Sequence, residues 1–88
     1  MASSSSEHTR RLLVENLPKS FHDWELRRLF FQYGDVVEAR VVMDAMSGES
    51  LGFGFVEMAT DAEARRAREE LNYRSVGRAH LLVIPASK

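Results

Sequence analysis

Phe53 and Phe55 are the side chains whose type and spacing first suggest a chemical role. They lie two residues apart in the apolar segment Leu51–Met58. If this segment is a β-strand, its side chains alternate between two faces, so both phenyl rings share one face while Val56 points to the other. Two neighbouring rings on an open face form a flat apolar platform on which planar groups can stack. Burial of both rings in a hydrophobic core is the alternative.

The preceding segments predict the elements that would position this pair. Arg11–Leu17 is a short apolar run closed by Pro18, which is typical of a strand. Asp23–Tyr33 has apolar residues at spacings of three and four, which predicts an amphipathic helix. Val36–Met43 is rich in β-branched residues and predicts a second strand. The rings would therefore lie on the third strand, Leu51–Met58.

Two further elements follow the third strand. Thr60 and Glu63 have the spacing of a capping box, so we expect a helix from there to about Leu71. The last apolar run, His80–Ile84, predicts a final strand. The order strand, helix, strand, strand, helix, strand is the ferredoxin-like split βαβ pattern, an α+β sandwich of four antiparallel strands with both helices on one face. The other face of the sheet stays open.

Composition narrows the class of protein. The chain has 88 residues, enough for one small domain. It has no cysteine, which excludes disulfides and favours an intracellular location, in the nucleus or cytoplasm with an organelle as an open alternative. No apolar run approaches the roughly 18 residues of a membrane span. No grouping has metal-ligand spacing or the form of a nucleophile motif, so we predict neither an enzyme nor a cofactor.

The chain start differs in composition from the rest. Residues 1–9 contain a serine run with nothing to bury, so we expect a flexible tail there and one folded domain over residues 10–88. The abrupt end at Lys88 favours a fragment of a longer chain. The 12 Lys and Arg are balanced by 13 Asp and Glu. This balance argues against strong affinity for a polyanion, which depends on neutralising phosphates.

The third strand also carries a family resemblance. Leu51–Met58 resembles the RNP1 octapeptide of RNA-recognition motifs, whose pattern is Lys/Arg, Gly, Phe/Tyr, Gly/Ala, Phe, Val, any residue, Phe/Tyr. Five of its seven specified positions match. Leu12–Leu17 resembles the RNP2 hexapeptide of the first strand, and the family-like spacing extends over roughly Arg10 to Ala86. The resemblance implies single-stranded RNA as the ligand, with RNP aromatics stacking two or three bases.

The departures from the family pattern reduce the expected affinity. RNP2 usually has an aromatic residue where this chain has Leu13, so one stacking ring is absent. RNP1 usually begins with Lys or Arg, and here it begins with Leu51. These two leucines are expected to contact RNA, to contact a protein, or to be covered by a terminal segment. Glu15 and Glu57 add negative charge to the same face.

Cationic and polar side chains are expected around the rings. By strand alternation, Arg40 flanks them on the second strand. Arg11 and Arg78 lie beside the first and last strands, where they would meet phosphates or remain ordinary solvated surface. Asn16, at the end of the first strand, would read base edges. With Phe53, Phe55, Leu13 and Leu51, these residues complete the predicted RNA-binding set.

The register of the last strand has two interpretations. Family spacing without a gap buries His80 and Leu82 and exposes Leu81 and Val83, and this is the register we favour. Because burial of a histidine is unfavourable, a slip by one residue is the alternative, and it would exchange the two faces.

A second function remains open at this point. The apolar sheet face, or a helix face, would instead bind a protein partner, and the module would then be a protein-interaction domain. Trp24 on the first helix could dock such a partner, but we favour its partial burial under the helix. Salt dependence separates the two functions, because phosphate binding weakens with salt and apolar docking does not. We expect the isolated domain to be monomeric, with no membrane contact.

Overall fold

The structure, a computed structural model, describes residues 9–86. Its strands and helices are β1 Arg11–Glu15, α1 Asp23–Phe31, β2 Val36–Met43, β3 Ser50–Met58, α2 Asp61–Leu71, β4 Ser75–Val76, β5 Ala79–His80 and β6 Leu82–Pro85. The main elements follow the predicted order. The predicted tail over residues 1–9 lies outside the described residues except for Thr9, which donates a hydrogen bond to the Ala86 carbonyl at 3.1 Å.

The four long strands form one antiparallel sheet in the order β2-β3-β1-β6. β1 is central because it pairs with β3 on one side and with β6 on the other. Both helices pack on the same face of this sheet, and their buried side chains meet the inward side chains of the strands. The predicted ferredoxin-like α+β fold is therefore confirmed.

The core lies between the helices and one face of the sheet. Leu26 and Phe30 of α1, and Ala64, Ala67 and Leu71 of α2, are at most 1% exposed. The two alanines let α2 lie close to the strands, since they add little bulk at the contact. These side chains pack against inward residues of the sheet that include Leu12, Val14, Val56, Met58, Leu81 and Val83.

α2 begins where its sequence predicts, but only the Thr60 half of the predicted capping box forms, because the buried Glu63 Oε1 has no hydrogen-bond partner among residues 9–86. The Thr60 hydroxyl accepts a hydrogen bond from the backbone N–H of Glu63 at 3.1 Å, as expected for an N-cap residue. Asp61 and Glu63 lie in the first turn, where carboxylates suit the positive end of the helix dipole.

Side chains of α1 satisfy the outer edge of β2. The Asp23 carboxylate accepts a hydrogen bond from the Val41 N–H at 2.8 Å, and the Arg27 guanidinium donates to the Val36 carbonyl at 2.8 Å. An edge strand with free backbone groups invites pairing with another chain, so these two contacts make β2 a poorer template for such pairing.

The favoured register of the last strand is wrong. Leu81 and Val83 are at most 1% exposed, whereas His80 is exposed and Leu82 and Ile84 lie on the open face. The one-residue slip keeps the imidazole in water and buries two aliphatic side chains in its place. The Asn72 side-chain oxygen fixes this register by accepting a hydrogen bond from the Val83 N–H at 2.8 Å.

A short hairpin that the sequence did not predict precedes β6. β4 and β5 pair antiparallel, with Ser75 opposite His80 and Val76 opposite Ala79. Gly77 begins the intervening turn with a φ of +63°, a conformation that glycine adopts without steric cost. Within residues 9–86, no helix is long and apolar enough to cross a membrane.

Candidate nucleic-acid interface

Phe53 and Phe55 lie on the sheet face that the helices leave open. Neither ring belongs to the buried core, and both are half-buried. Their centroids are 6.3 Å apart and their planes meet at 79°, an edge-to-face arrangement. The structure thus gives the rings the open position that strand alternation predicts.

The strand registers place the neighbours of the rings in rows across the sheet. One row runs from Arg40 through Phe55 and Leu13 to Ile84. A second row contains Phe53, Glu15 and Leu82, in that order. Directly opposed side chains on one face have Cβ atoms about 4.5–5.5 Å apart, so each row is a continuous surface.

Gly54, between the two rings, allows β2 to approach β3. A Cβ atom on Gly54 would lie 3.0 Å from the Cα of Val41 and still closer to the Arg40 carbonyl oxygen. Any side chain here would therefore push β2 away and displace Arg40 from its place beside Phe55. Gly54 of the RNP1-like segment is thus required for the close pairing of β2 and β3 that places Arg40 beside Phe55.

The arginines nearest the rings already have carboxylate partners. Arg40 Nε lies 3.2 Å from Glu38, and both side chains are well exposed. Arg10 and Arg11 each approach Glu57 to 3.5 Å, and the Glu57 side chain is only 21% exposed. An exposed ion pair contributes roughly 0–1 kcal/mol, so a phosphate can compete with Glu38 for Arg40. The pairs with Glu57 are more sheltered, but both guanidinium groups stay partly exposed and can still meet a phosphate.

The remaining predicted residues have different positions. Leu13 is half-buried beside Phe55, and Leu51 is 50% exposed on β3. Asn16 has a φ of +69°, and its side-chain Nδ2 donates to the His80 carbonyl at 2.8 Å, which ties the end of β1 to β5. Arg78 lies in the exposed β4–β5 turn, outside the rows of the sheet.

The expected partial burial of Trp24 under α1 is wrong. Its side chain is 59% exposed. Successive helical residues are about 100° apart, so Trp24 lies roughly 200° around the helix from the buried Leu26. It lines an open cleft of about 670 Å³ at the edge of β2, which it shares with Arg40.

Sequence reasoning missed several residues at the open face. Leu82 and Ile84 reach it only in the slipped register of β6, which spacing alone does not select. Lys19 borders the surface next to Glu15 and Phe53, although it lies in the loop after β1. Among residues 9–86, no group of three or more His, Cys, Asp or Glu side chains could hold a metal ion.

The domain has an antiparallel sheet with both helices on one face. Its other face is open and carries two aromatic rings flanked by arginines, so a ligand would lie on this surface rather than in an enclosed pocket. A model of the RNA recognition motif family matches residues 12–82, and the chain belongs to this family. The 31 kDa ribonucleoprotein, chloroplastic, of Nicotiana sylvestris is 44% identical over 70 residues, covering 80% of this chain and 22% of that protein. This chain therefore corresponds to about a fifth of the relative's length.

Solved structures agree with the family assignment. RNA Binding Protein PG1 has a TM-score of 0.87 and 40% identity, with coverage of 91% of this chain and 96% of that chain. A structure titled Sxl-lethal protein/RNA complex has a TM-score of 0.86 and 31% identity, covering 91% of this chain and 48% of that one.

Proposed function

We propose that residues 10–88 form one non-catalytic domain that holds a short stretch of single-stranded RNA on the open sheet face. The observation that carries the proposal is the pair Phe53 and Phe55, two rings in adjacent rows of the surface. Each base stacked on an aromatic side chain contributes roughly 1–3 kcal/mol. Membership of the RNA recognition motif family supports the same ligand.

The ring geometry favours a single strand over a duplex. Because the planes of Phe53 and Phe55 meet at 79°, two bases stacked on them are splayed apart. Bases of a duplex lie parallel to each other, whereas those of a single strand can separate and bind individually. Leu13 and Leu51 add apolar surface for a sugar or the edge of a base.

Cationic side chains around the rings position the RNA backbone. Arg40 and Arg11 exchange their carboxylate partners for phosphates, and Arg78 supplies a charge with no competing partner among residues 9–86. Asn16 contributes its side-chain carbonyl to a base edge while its N–H group holds β5. The cost of breaking ion pairs and the net charge of −1 keep the affinity modest.

A titration of the domain with short single-stranded homopolymers, followed by NMR at low and moderate salt, tests the proposal. Amide shifts centred on Leu13, Arg40, Phe53 and Phe55 that shrink with salt are the expected result. Absence of shifts with every homopolymer at high protein concentration would contradict RNA binding by the domain.

The isolated domain is a monomer in solution. The protein acts inside the cell, in the nucleus, the cytoplasm or an organelle that contains RNA. A protein partner in a ribonucleoprotein assembly is a second candidate, favoured by the exposure of Trp24 and of Phe31 (63%) on α1. Light scattering at two concentrations tests the monomer. Binding of a protein that is insensitive to salt would support the second candidate if it shifts the amide signals of α1 rather than those of the sheet.

A further inference from the structure

Three glutamates lie on the open sheet face, and their surroundings differ. Glu38 is paired with Arg40, and Glu57 is approached by two arginines. Glu15, the last residue of the central strand β1, has no hydrogen-bond or ion-pair partner for its carboxylate among residues 9–86. An unpaired carboxylate on a surface proposed to bind a polyanion weakens phosphate binding, so a favourable contact between Glu15 and RNA would have to be with a base.

Glu15 lines a cavity that also contains a free cation. The cavity is an open depression of about 360 Å³, and the residues that line it include Glu15, Lys19, Phe53 and Leu51. The Lys19 side chain is exposed, and no ion pair within the described chain joins it to Glu15. The cavity therefore combines an aromatic ring, an acceptor-only carboxylate and a donor-only ammonium group.

These groups together select a particular base. A carboxylate with two oxygens accepts best from two neighbouring N–H groups, and an ammonium donates to an adjacent carbonyl oxygen. Guanine presents N1–H and N2–H₂ donors next to its O6 acceptor. Cytosine and adenine present one amino group to a carboxylate, and uracil presents a single N–H between two carbonyl oxygens that repel it.

We propose that this cavity is a guanine subsite of the RNA-binding surface. The guanine ring stacks on Phe53, its N1–H and N2–H₂ donate to the Glu15 carboxylate, and Lys19 donates to O6. Because Glu15 is directly opposite Phe53 in the strand register, a base on this ring has its edge within reach of the carboxylate. This inference rests on the proposed RNA binding and adds base selectivity to it.

The test compares heptamers of uridine that carry one central guanosine, inosine, adenosine or cytidine. One bidentate base contact discriminates by roughly 1–3 kcal/mol, so the guanosine oligomer should bind about tenfold more tightly than the adenosine and cytidine oligomers. Inosine, which lacks the N2 amino group, should fall between them. Equal affinity for the oligomers, or tightest binding of the cytidine oligomer, would overturn the guanine subsite.

Two variants of the same face separate selectivity from charge. Glu15→Gln offers an N–H in place of one acceptor oxygen and should reduce the guanosine-to-adenosine ratio to near one. Glu57→Gln makes the same charge change but leaves the ratio intact, because Glu57 faces Arg10 and Arg11. Lys19→Gln should lower the ratio, whereas a cation that only meets phosphates would weaken all oligomers equally.

The outcomes distinguish the subsite from RNA binding itself. If every oligomer binds and Glu15→Gln leaves the ratio unchanged, the guanine subsite is wrong and the RNA-binding proposal stands. If the wild-type domain binds none of the oligomers, the RNA-binding proposal fails. Amide spectra of the variants establish that each one keeps the fold.

Discussion

At the scale of single residues, the chemistry of the surface comes from neighbours across strands. Phe55 has Arg40 on one side and Leu13 on the other, while Phe53 faces Glu15. The two rings have the same residue type but different surroundings. One offers an aromatic face beside a cation, and the other offers an aromatic face beside a carboxylate.

Replacing Phe55 with alanine should weaken RNA binding without unfolding the domain. Loss of one stacked base costs roughly 1–3 kcal/mol, or about a 5- to 150-fold rise in Kd. Phe31→Ala is the matched control, since that ring is 63% exposed on α1 and away from the open face. Fluorescence anisotropy with a labelled oligonucleotide measures both variants, and an equal loss in the two would contradict stacking on Phe55.

Glu57→Gln should strengthen RNA binding. Glu57 holds Arg10 and Arg11 at 3.5 Å, so removing its charge frees two guanidinium groups for phosphates and removes one repulsive charge. We expect a several-fold lower Kd at low salt, because the two arginines no longer have to leave a carboxylate partner before they meet a phosphate. Glu70→Gln, an exposed charge change on α2, is the control. Unchanged affinity in Glu57→Gln would mean that these arginines do not meet the RNA.

At the scale of elements, hydrophobic periodicity was sufficient for β1, β2, β3 and both helices. It failed where neighbouring residues are equally apolar. The last strand has four consecutive aliphatic residues, Leu81–Ile84, so either register buries two aliphatic side chains. The sequence alone could not decide which pair is buried. The hydrogen bond that the Val83 N–H donates to the Asn72 side-chain oxygen and the unforeseen β4–β5 hairpin fix the choice, and both are tertiary features.

The register of β6 can be tested with two adjacent leucines. Leu81 is fully buried and Leu82 lies half-buried on the open face. Leu81→Ala should lower the free energy of unfolding by about 2–5 kcal/mol, the range for a buried leucine, and Leu82→Ala should lower it by clearly less. Urea denaturation followed by circular dichroism measures both. A larger loss of stability in Leu82→Ala than in Leu81→Ala would contradict the observed register and support the one without the slip.

Part of the candidate site was also predictable from the periodicity of the strands. Alternation along β3 and β1 was enough to put Phe53, Phe55 and Leu13 on one face, because the period of a strand is two. Ion pairing was not predictable, since the partners of Arg11 and Arg40 depend on side-chain directions across strands. Lys19 was missed because a loop residue has no period that reveals the face it borders.

At the scale of the whole molecule, charge balance sets how the domain binds. With 12 basic and 13 acidic side chains, the domain has little long-range attraction for RNA. Binding must then depend on contacts at the surface itself, where stacking is insensitive to salt and the phosphate contacts are few. The same near-equality of acidic and basic side chains is seen at the surface itself, where arginines are paired with glutamates beside an apolar face.

The salt dependence of binding measures this balance directly. Each phosphate neutralised on a single strand contributes about −0.7 to the slope of log K against log salt, so contacts from Arg11, Arg40 and Arg78 predict a slope of about −2. Glu57→Gln should make the slope steeper by freeing Arg10 and Arg11, while Phe55→Ala should lower the affinity and leave the slope unchanged. A slope near zero for the wild-type domain would mean that its cations stay with their carboxylates, and the apolar face would then be better matched to a protein than to RNA.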